Sequence, residues 1–170
     1  AEKFHWKHAI ATSSGTDAGI VVWSAVRELS NAHHYSEAMT NKNCMGHVLT
    51  PACAFAATAN CILAAGMRPI FIDVELETLN MNATKAAEIK KLYEHELMRV
   101  IGAQFVMTMG HSKGLRCAWQ PLCDIEYYIV DACEGHGGTY RGIDMPHYSG
   151  AKAAIYSFYA AHMIVAGEGG

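Results

Sequence analysis

Short apolar runs, each followed by a polar or helix-patterned stretch, constrain the fold more than any other feature of this sequence. "HVLTP", "PIFIDV", "AQFVMT", "EYYIVDA" and "AAIYSFY" read as strands. Several are apolar throughout, not only at every second residue, which marks strands covered on both faces. Helical stretches lie between them. "AFAATANCILAAG" closes on Gly66, which suits a helix C-terminus, and "ATKAAEIKKLYEHELM" is strongly helical. Another helix follows "SSGT", with Ala18, Val21, Val22, Ala25 and Leu29 on one face and Ser14 or Thr16 available as its cap. Strands alternating with helices predict an α/β fold, three layers α/β/α around a mainly parallel sheet.

The chain has 170 residues, enough for one domain with a sizeable core. A net charge of -3 without a Lys/Arg run excludes a phosphate-tracking surface, so neither nucleic acid nor an anionic membrane is an expected partner. The opening "AEKFHWKHAI" has no apolar segment behind a basic head, so it is not read as a signal peptide. The uncharged region from Asn43 to Met67 is interrupted by Pro51, Thr58, Asn60 and Gly66, and reads as strand, turn and buried helix, not as a membrane span. The cysteines Cys44, Cys53, Cys61, Cys117, Cys123 and Cys133 form no C-x-x-C pair, so reduced core thiols and a cytoplasmic protein are expected. His5, His8, His33, His34 and His136 stand at no zinc spacing and read as surface or turn residues, so no metal is expected.

Ligands of a parallel sheet collect at the C-terminal ends of its strands, so the residues just after each strand carry the functional reading. "SSGT" opens a helix with free N–H groups, small hydroxyls and the positive dipole end; it is a helix cap or a small phosphate cradle. Asp131 ends an apolar strand, and either pairs with a cationic ring nitrogen or caps the next turn. Ser157 lies between Tyr156 and Phe158, where a buried hydroxyl needs a phosphate or a carbonyl as partner. His162 is a structural turn residue or a general base. "GEGG" offers a nest of N–H groups but lacks the Lys-Ser/Thr of a nucleoside-triphosphate loop. Cys133 reads as a packing residue.

The segments "HAIATSSGTDA", "LTPACAFAATANCILAAGMRPIFIDVELETLNMN", "YYIVDACEGHGGTYRG" and "YSFYAAHMIVAGEGG" occur in an order that resembles the DegT-like and StrS-like sugar aminotransferases, pyridoxal phosphate enzymes of fold type I. The resemblance implies roles for individual residues. Ser14, Gly15 and Thr16 would hold the cofactor phosphate together with Ser157. Phe55 would stack on the pyridine ring. Asp131 would pair with the protonated ring nitrogen and keep the ring an electron sink. Glu134 occupies a place beside the ring where the family carries Gln or His. His162 stands where aminotransferases of the family carry the lysine that forms a Schiff base with the cofactor. "CMGHV" replaces the family's usual "PGDEV", Ala151-Lys152 replaces Gly-Asp, and "HSKGLRCAWQPLCD" matches loosely.

A histidine in place of that lysine resembles the family's sugar 3-dehydratases. The implied activity is pyridoxamine phosphate-dependent removal of the C3 hydroxyl from a nucleotide-linked 4-keto-6-deoxyhexose, as in deoxysugar or lipopolysaccharide biosynthesis, with His162 as base. Glutamate is then the amine donor of one branch. A [2Fe–2S] cluster with an electron-transfer reductase serves the other, with its cysteines beyond this chain. The alternatives are a sugar-nucleotide aminotransferase of the same family and a non-catalytic relative that keeps the cofactor pocket. By the same resemblance, residues 1–170 are expected to be the N-terminal part of the cofactor-binding large domain. The small C-terminal domain is expected to lie beyond, and the site to form across a homodimer.

Overall fold

A computed structural model describes residues 6–33, 46–77, 79–95, 99–106, 125–140, 142–162 and 164–170. Cys44, Cys117, Cys123, His5, His34 and the 111–124 segment lie outside them. The elements run α1 (Gly15–His33), β1 (His47–Pro51), α2 (Ala56–Ala64), β2 (Arg68–Ile72), α3 (Ala83–His95), β3 (Val100–Val106), β4 (Tyr127–Asp131), β5 (Thr139–Tyr140), β6 (Ile143–Asp144), α4 (Met145–Tyr148) and β7 (Ala153–Ile155). The main sheet has the order β2-β1-β3-β4-β7, and every pair in it is parallel. The short β5–β6 pair is antiparallel. Neither this pair nor α4 has an apolar run or a helical period long enough to be read from sequence.

Successive residues of each strand point to opposite faces, and both faces are covered. Trp23, Val26, Val48, Cys61, Ile62, Ile101, Ile129 and Ile155 pack under α1 and α2. Leu49, Ile72, Phe105, Tyr128 and Val130 pack with Ala83 and Ala86 of α3 and Met145 of α4 on the other side. This is the expected three-layer α/β/α arrangement. Among the described residues no helix is long and apolar enough to cross a membrane.

The buried face of α1 differs from the one its apolar spacing predicts. Val21 and Leu29 are exposed, and the buried positions are Gly15, Gly19, Trp23, Val26 and Ser30. Two glycines explain the rotation. A Cβ on Gly19 would lie 2.9 Å from Cys61 Sγ, so α1 and α2 touch through that glycine. A Cβ on Gly102 of β3 would lie 2.9 Å from Trp23 Cζ3, so the strand leaves room for the indole. Trp23 is fully buried and donates Nε1–H to Gln104 Oε1. Burying that ring outweighs any choice among Val21, Ala25 and Leu29.

The final strand is shorter than "AAIYSFY" suggests. Only Ala153–Ile155 joins the ladder, because beyond it the chain finds other partners: Ser157 O faces His136 Nε2, and Phe158 N donates to Gly169 O.

Candidate active site

All parallel strands deliver their C-terminal ends to one edge, which receives the N-termini of α1 and α2. Register places Asp131, the last residue of β4, beside Ile155, the last residue of β7. Asp131 is 9% exposed. Its Oδ2 accepts a hydrogen bond from Thr58 Oγ1 at 2.9 Å, and its Oδ1 accepts one from Cys133 N–H at 3.2 Å. Among the described residues no Lys, Arg or His forms an ion pair with it. A buried carboxylate in that state retains acceptor capacity and lacks a counter-charge, so it is poised for a cationic N–H.

Asp131 also governs the nearby thiols. Burial pushes the Cys61 thiol up to about 12, and the Asp131 charge adds to the effect. Burial and then the same carboxylate push Cys133 upward as well. Both sulfurs therefore stay protonated and act as small packing groups.

Gly15 begins α1 against Ser157. A Cβ on Gly15 would fall 2.7 Å from Ser157 Cβ and 3.2 Å from both Ser157 Oγ and Cys133 Sγ. The structure thus joins the "SSGT" turn, the serine beyond β7 and the residues after Asp131. Ser157 is buried, and its Oγ accepts Tyr159 N–H at 3.3 Å, while among the described residues its own proton has no acceptor. Ser14 caps the helix: its Oγ accepts Asp17 N–H at 3.1 Å and donates to Asp17 Oδ2 at 2.9 Å. Hydrogen bonds from Ser13 and then Ser14 hold the Asp17 carboxyl below the usual range. Ser14 is therefore committed to the cap. The backbone N–H groups of the first turn and the exposed Thr16 are what α1 offers an anion.

Phe55 is the residue preceding α2 and is 83% exposed, with its carbonyl accepting Thr58 N–H. Its ring is presented outward on the same turn that supplies Thr58 to Asp131. His162 Nδ1 lies 2.9 Å from Glu134 Oε1, off the hydrogen-bond line. Glu134 therefore meets the histidine.

Two readings are corrected here. "GEGG" is not a free nest: Gly170 exchanges backbone hydrogen bonds with Thr12, and Gly169 O accepts Phe158 N–H. The loop threads between the segment before α1 and the segment after β7. His136 does stand in a turn, but it is buried and not at the surface: it is 8% exposed and contacts Ser157 O. Thr58 and Cys133 went unread as partners of Asp131. The spacing of Thr58 from Phe55 places it in the first turn of α2, but only the sheet order brings that turn over β4.

The model of the DegT/DnrJ/EryC1/StrS aminotransferase family matches residues 1–170. The dTDP-4-dehydro-2,6-dideoxy-D-glucose 3-dehydratase of Saccharopolyspora spinosa is 33% identical over 128 residues, 72% of this chain and 25% of that protein. The GDP-perosamine synthase of Caulobacter vibrioides is 27% identical over 169 residues, 96% of this chain and 38% of that protein. The structure of E. coli GDP-4-keto-6-deoxy-D-mannose-3-dehydratase with bound hydrated PLP superposes with a TM-score of 0.70 at 18% identity, over 99% of this chain and 40% of that one. This chain thus spans between a quarter and two fifths of the lengths of these proteins.

Proposed function

Because this chain belongs to the DegT/DnrJ/EryC1/StrS aminotransferase family, we propose that it carries the cofactor site of a pyridoxamine phosphate-dependent sugar 3-dehydratase. The substrate is a nucleotide-linked 4-keto-6-deoxyhexose, and His162 is the base. The observation that carries this reading is the place of His162: five residues beyond Ser157, against Glu134, on the edge of the sheet that holds Asp131. A transaminating relative needs a lysine there. Lys152 does not substitute for it, since it immediately precedes β7 and so sits at the opposite edge, with its N–H donating to Tyr128 O.

The residues present fit the cofactor. Asp131, buried with no ion-pairing cation among the described residues, suits a protonated ring nitrogen. The close approach of Gly15 to Ser157, which a Cβ would fill, suits a phosphate cup beside the first turn of α1. Phe55 presents an open aromatic face. Bound pyridoxamine phosphate supplies an amine and a conjugated ring that stores an electron pair until a neighbouring hydroxyl leaves.

Thr58 and the Cys133 N–H fix the orientation of the Asp131 carboxylate. Ser157 would donate its hydroxyl proton to the cofactor phosphate, and α1 would contribute its dipole and N–H groups. His162, with Glu134 Oε1 2.9 Å from its Nδ1, would be the base facing the bound cofactor. The Saccharopolyspora relative is named as a 3-dehydratase acting on a dTDP-linked sugar, which supports the same substrate class.

Borohydride reduction of the intact protein loaded with pyridoxal phosphate tests the reading. Wild type is expected to carry no covalent label, and His162→Lys is expected to be labelled. Label on a wild-type lysine refutes the assignment. Incubation of the pyridoxamine form with a nucleotide-linked 4-keto-6-deoxyhexose is expected to yield a 3-deoxy product. An amino sugar instead identifies an aminotransferase, and tight cofactor binding without turnover a non-catalytic relative.

A further inference from the structure

The β4–β7 ladder ends at Asp131 and Ile155, with one more backbone bond from Ala132 N to Ile155 O at 2.8 Å. Ser157 lies two residues past that point, yet it must stand at a fixed distance from Asp131 to serve one rigid ligand. Its carbonyl is held by a side chain: His136 Nε2 lies 2.7 Å from Ser157 O. A carbonyl only accepts, so Nε2 carries the proton and donates. The imidazole is 8% exposed and wedged between the rings of Tyr156 and Phe158, with centroids 5.2 and 5.6 Å away. Its Nδ1 has no hydrogen-bond partner among the described residues. The hydrogen bond to Ser157 is therefore the polar contact this buried ring makes. It continues the tie between the two strand ends after the backbone ladder stops.

We propose that His136 is a positioning residue: it holds Ser157 in register with Asp131 and so sets the spacing between the phosphate cup and the carboxylate that receives the ring nitrogen. The inference rests on the cofactor reading above. His136 acts through the Ser157 carbonyl, while the Ser157 hydroxyl lies against Gly15.

Calorimetric titration of the intact protein with pyridoxal phosphate and with pyridoxal, which lacks the phosphate, tests this directly. His136→Phe keeps the ring and its packing and removes the donor. It is expected to weaken pyridoxal phosphate binding about 3- to 10-fold, the effect of one lost N–H···O bond, with pyridoxal unchanged. His136→Gln, whose amide reaches where Nε2 donates, is expected to restore binding to within about 2-fold of wild type. In a Ser157→Ala background His136→Phe is expected to add no further loss, since the pair acts as one unit. An equal loss for both ligands, a Gln variant no better than Phe, or additive losses overturns the proposal. Should the Phe variant not fold, Gln against Asn gives the same comparison, because Asn does not reach the carbonyl. A wild type that binds both ligands equally overturns the cofactor reading and this inference with it. A wild-type preference for the phosphate form that survives His136→Phe overturns the inference alone.

Discussion

Gly15→Ala is the sharpest perturbation of the site's architecture. The new methyl group would lie 2.7 Å from Ser157 Cβ, closer than real Cβ contacts come, and 3.2 Å from Cys133 Sγ. Gly15 is not among the residues with positive φ, so alanine suits its backbone, and in an open helix start this change would help by up to about 1 kcal/mol. Against that stands the forced shift of the buried Ser157 and the half-buried Cys133, which belong to the strand-end segments, an overpacking cost of about 1–3 kcal/mol. The net expectation is a loss of about 1–2 kcal/mol, read as a lower urea midpoint at unchanged slope. The decisive measurement is the cycle with Ser157→Gly, which removes the Cβ that the new methyl group would strike. In that background Gly15→Ala is expected to become neutral or mildly stabilising, a coupling of more than about 1 kcal/mol. A Gly15→Ala variant as stable as wild type, or one that loses the same amount in both backgrounds, refutes the claim that α1 and the serine segment meet through this glycine.

Asp131→Asn is expected to act in opposite directions on the two states of the protein. It relieves a buried charge that has no cationic partner among the described residues and raises stability without ligand by about 1 kcal/mol, yet weakens pyridoxal phosphate binding about 100-fold or more; a drop in both refutes the counter-ion role. Burial holds the His47 imidazole below its usual value, with Arg68 adding to the effect. Its contribution to stability is therefore present above the unfolded value of about 6.5 and is lost as pH falls toward the folded one. His47→Gln is expected to flatten the fall in urea midpoint between pH 8 and pH 5, and an unchanged slope counts against it. Peptide mapping after alkylation at pH 8 is expected to find Cys53, which is exposed, modified before Cys61 and Cys133, which are labelled only in urea; early labelling of Cys61 contradicts its raised pKa of about 12.

Much of the fold was legible because strand and helix periods are local. "HVLTP" and "EYYIVDA" are too apolar for anything but doubly covered strands, and Gly66 adopts the positive φ of 76° that a helix end after "CILAAG" calls for. The stripe of α1 was misread because Val21 and Leu29 are apolar in sequence, while the contacts that win are Trp23 on Gly102 and Gly19 on Cys61, residues far apart along the chain. Asp131 was legible as a strand-end carboxylate. That it is held by Thr58 was not, because β4 and α2 are separated by the whole of β2, α3 and β3.

The sequence by itself determined the class of fold and named the residues proposed for the site: Asp131, Ser157, Phe55, and a histidine at 162. These are facts about residue type and order, and residue type decides what can carry charge or take a proton. Only the tertiary structure decided which groups cooperate. It spent Ser14 on the helix cap, tied the glycine loop to Thr12 and Phe158, set Glu134 against His162, and buried His136 under the Ser157 carbonyl. Each of these outcomes depends on strand order and on close approach at glycine, and neither is written in any local stretch of the chain.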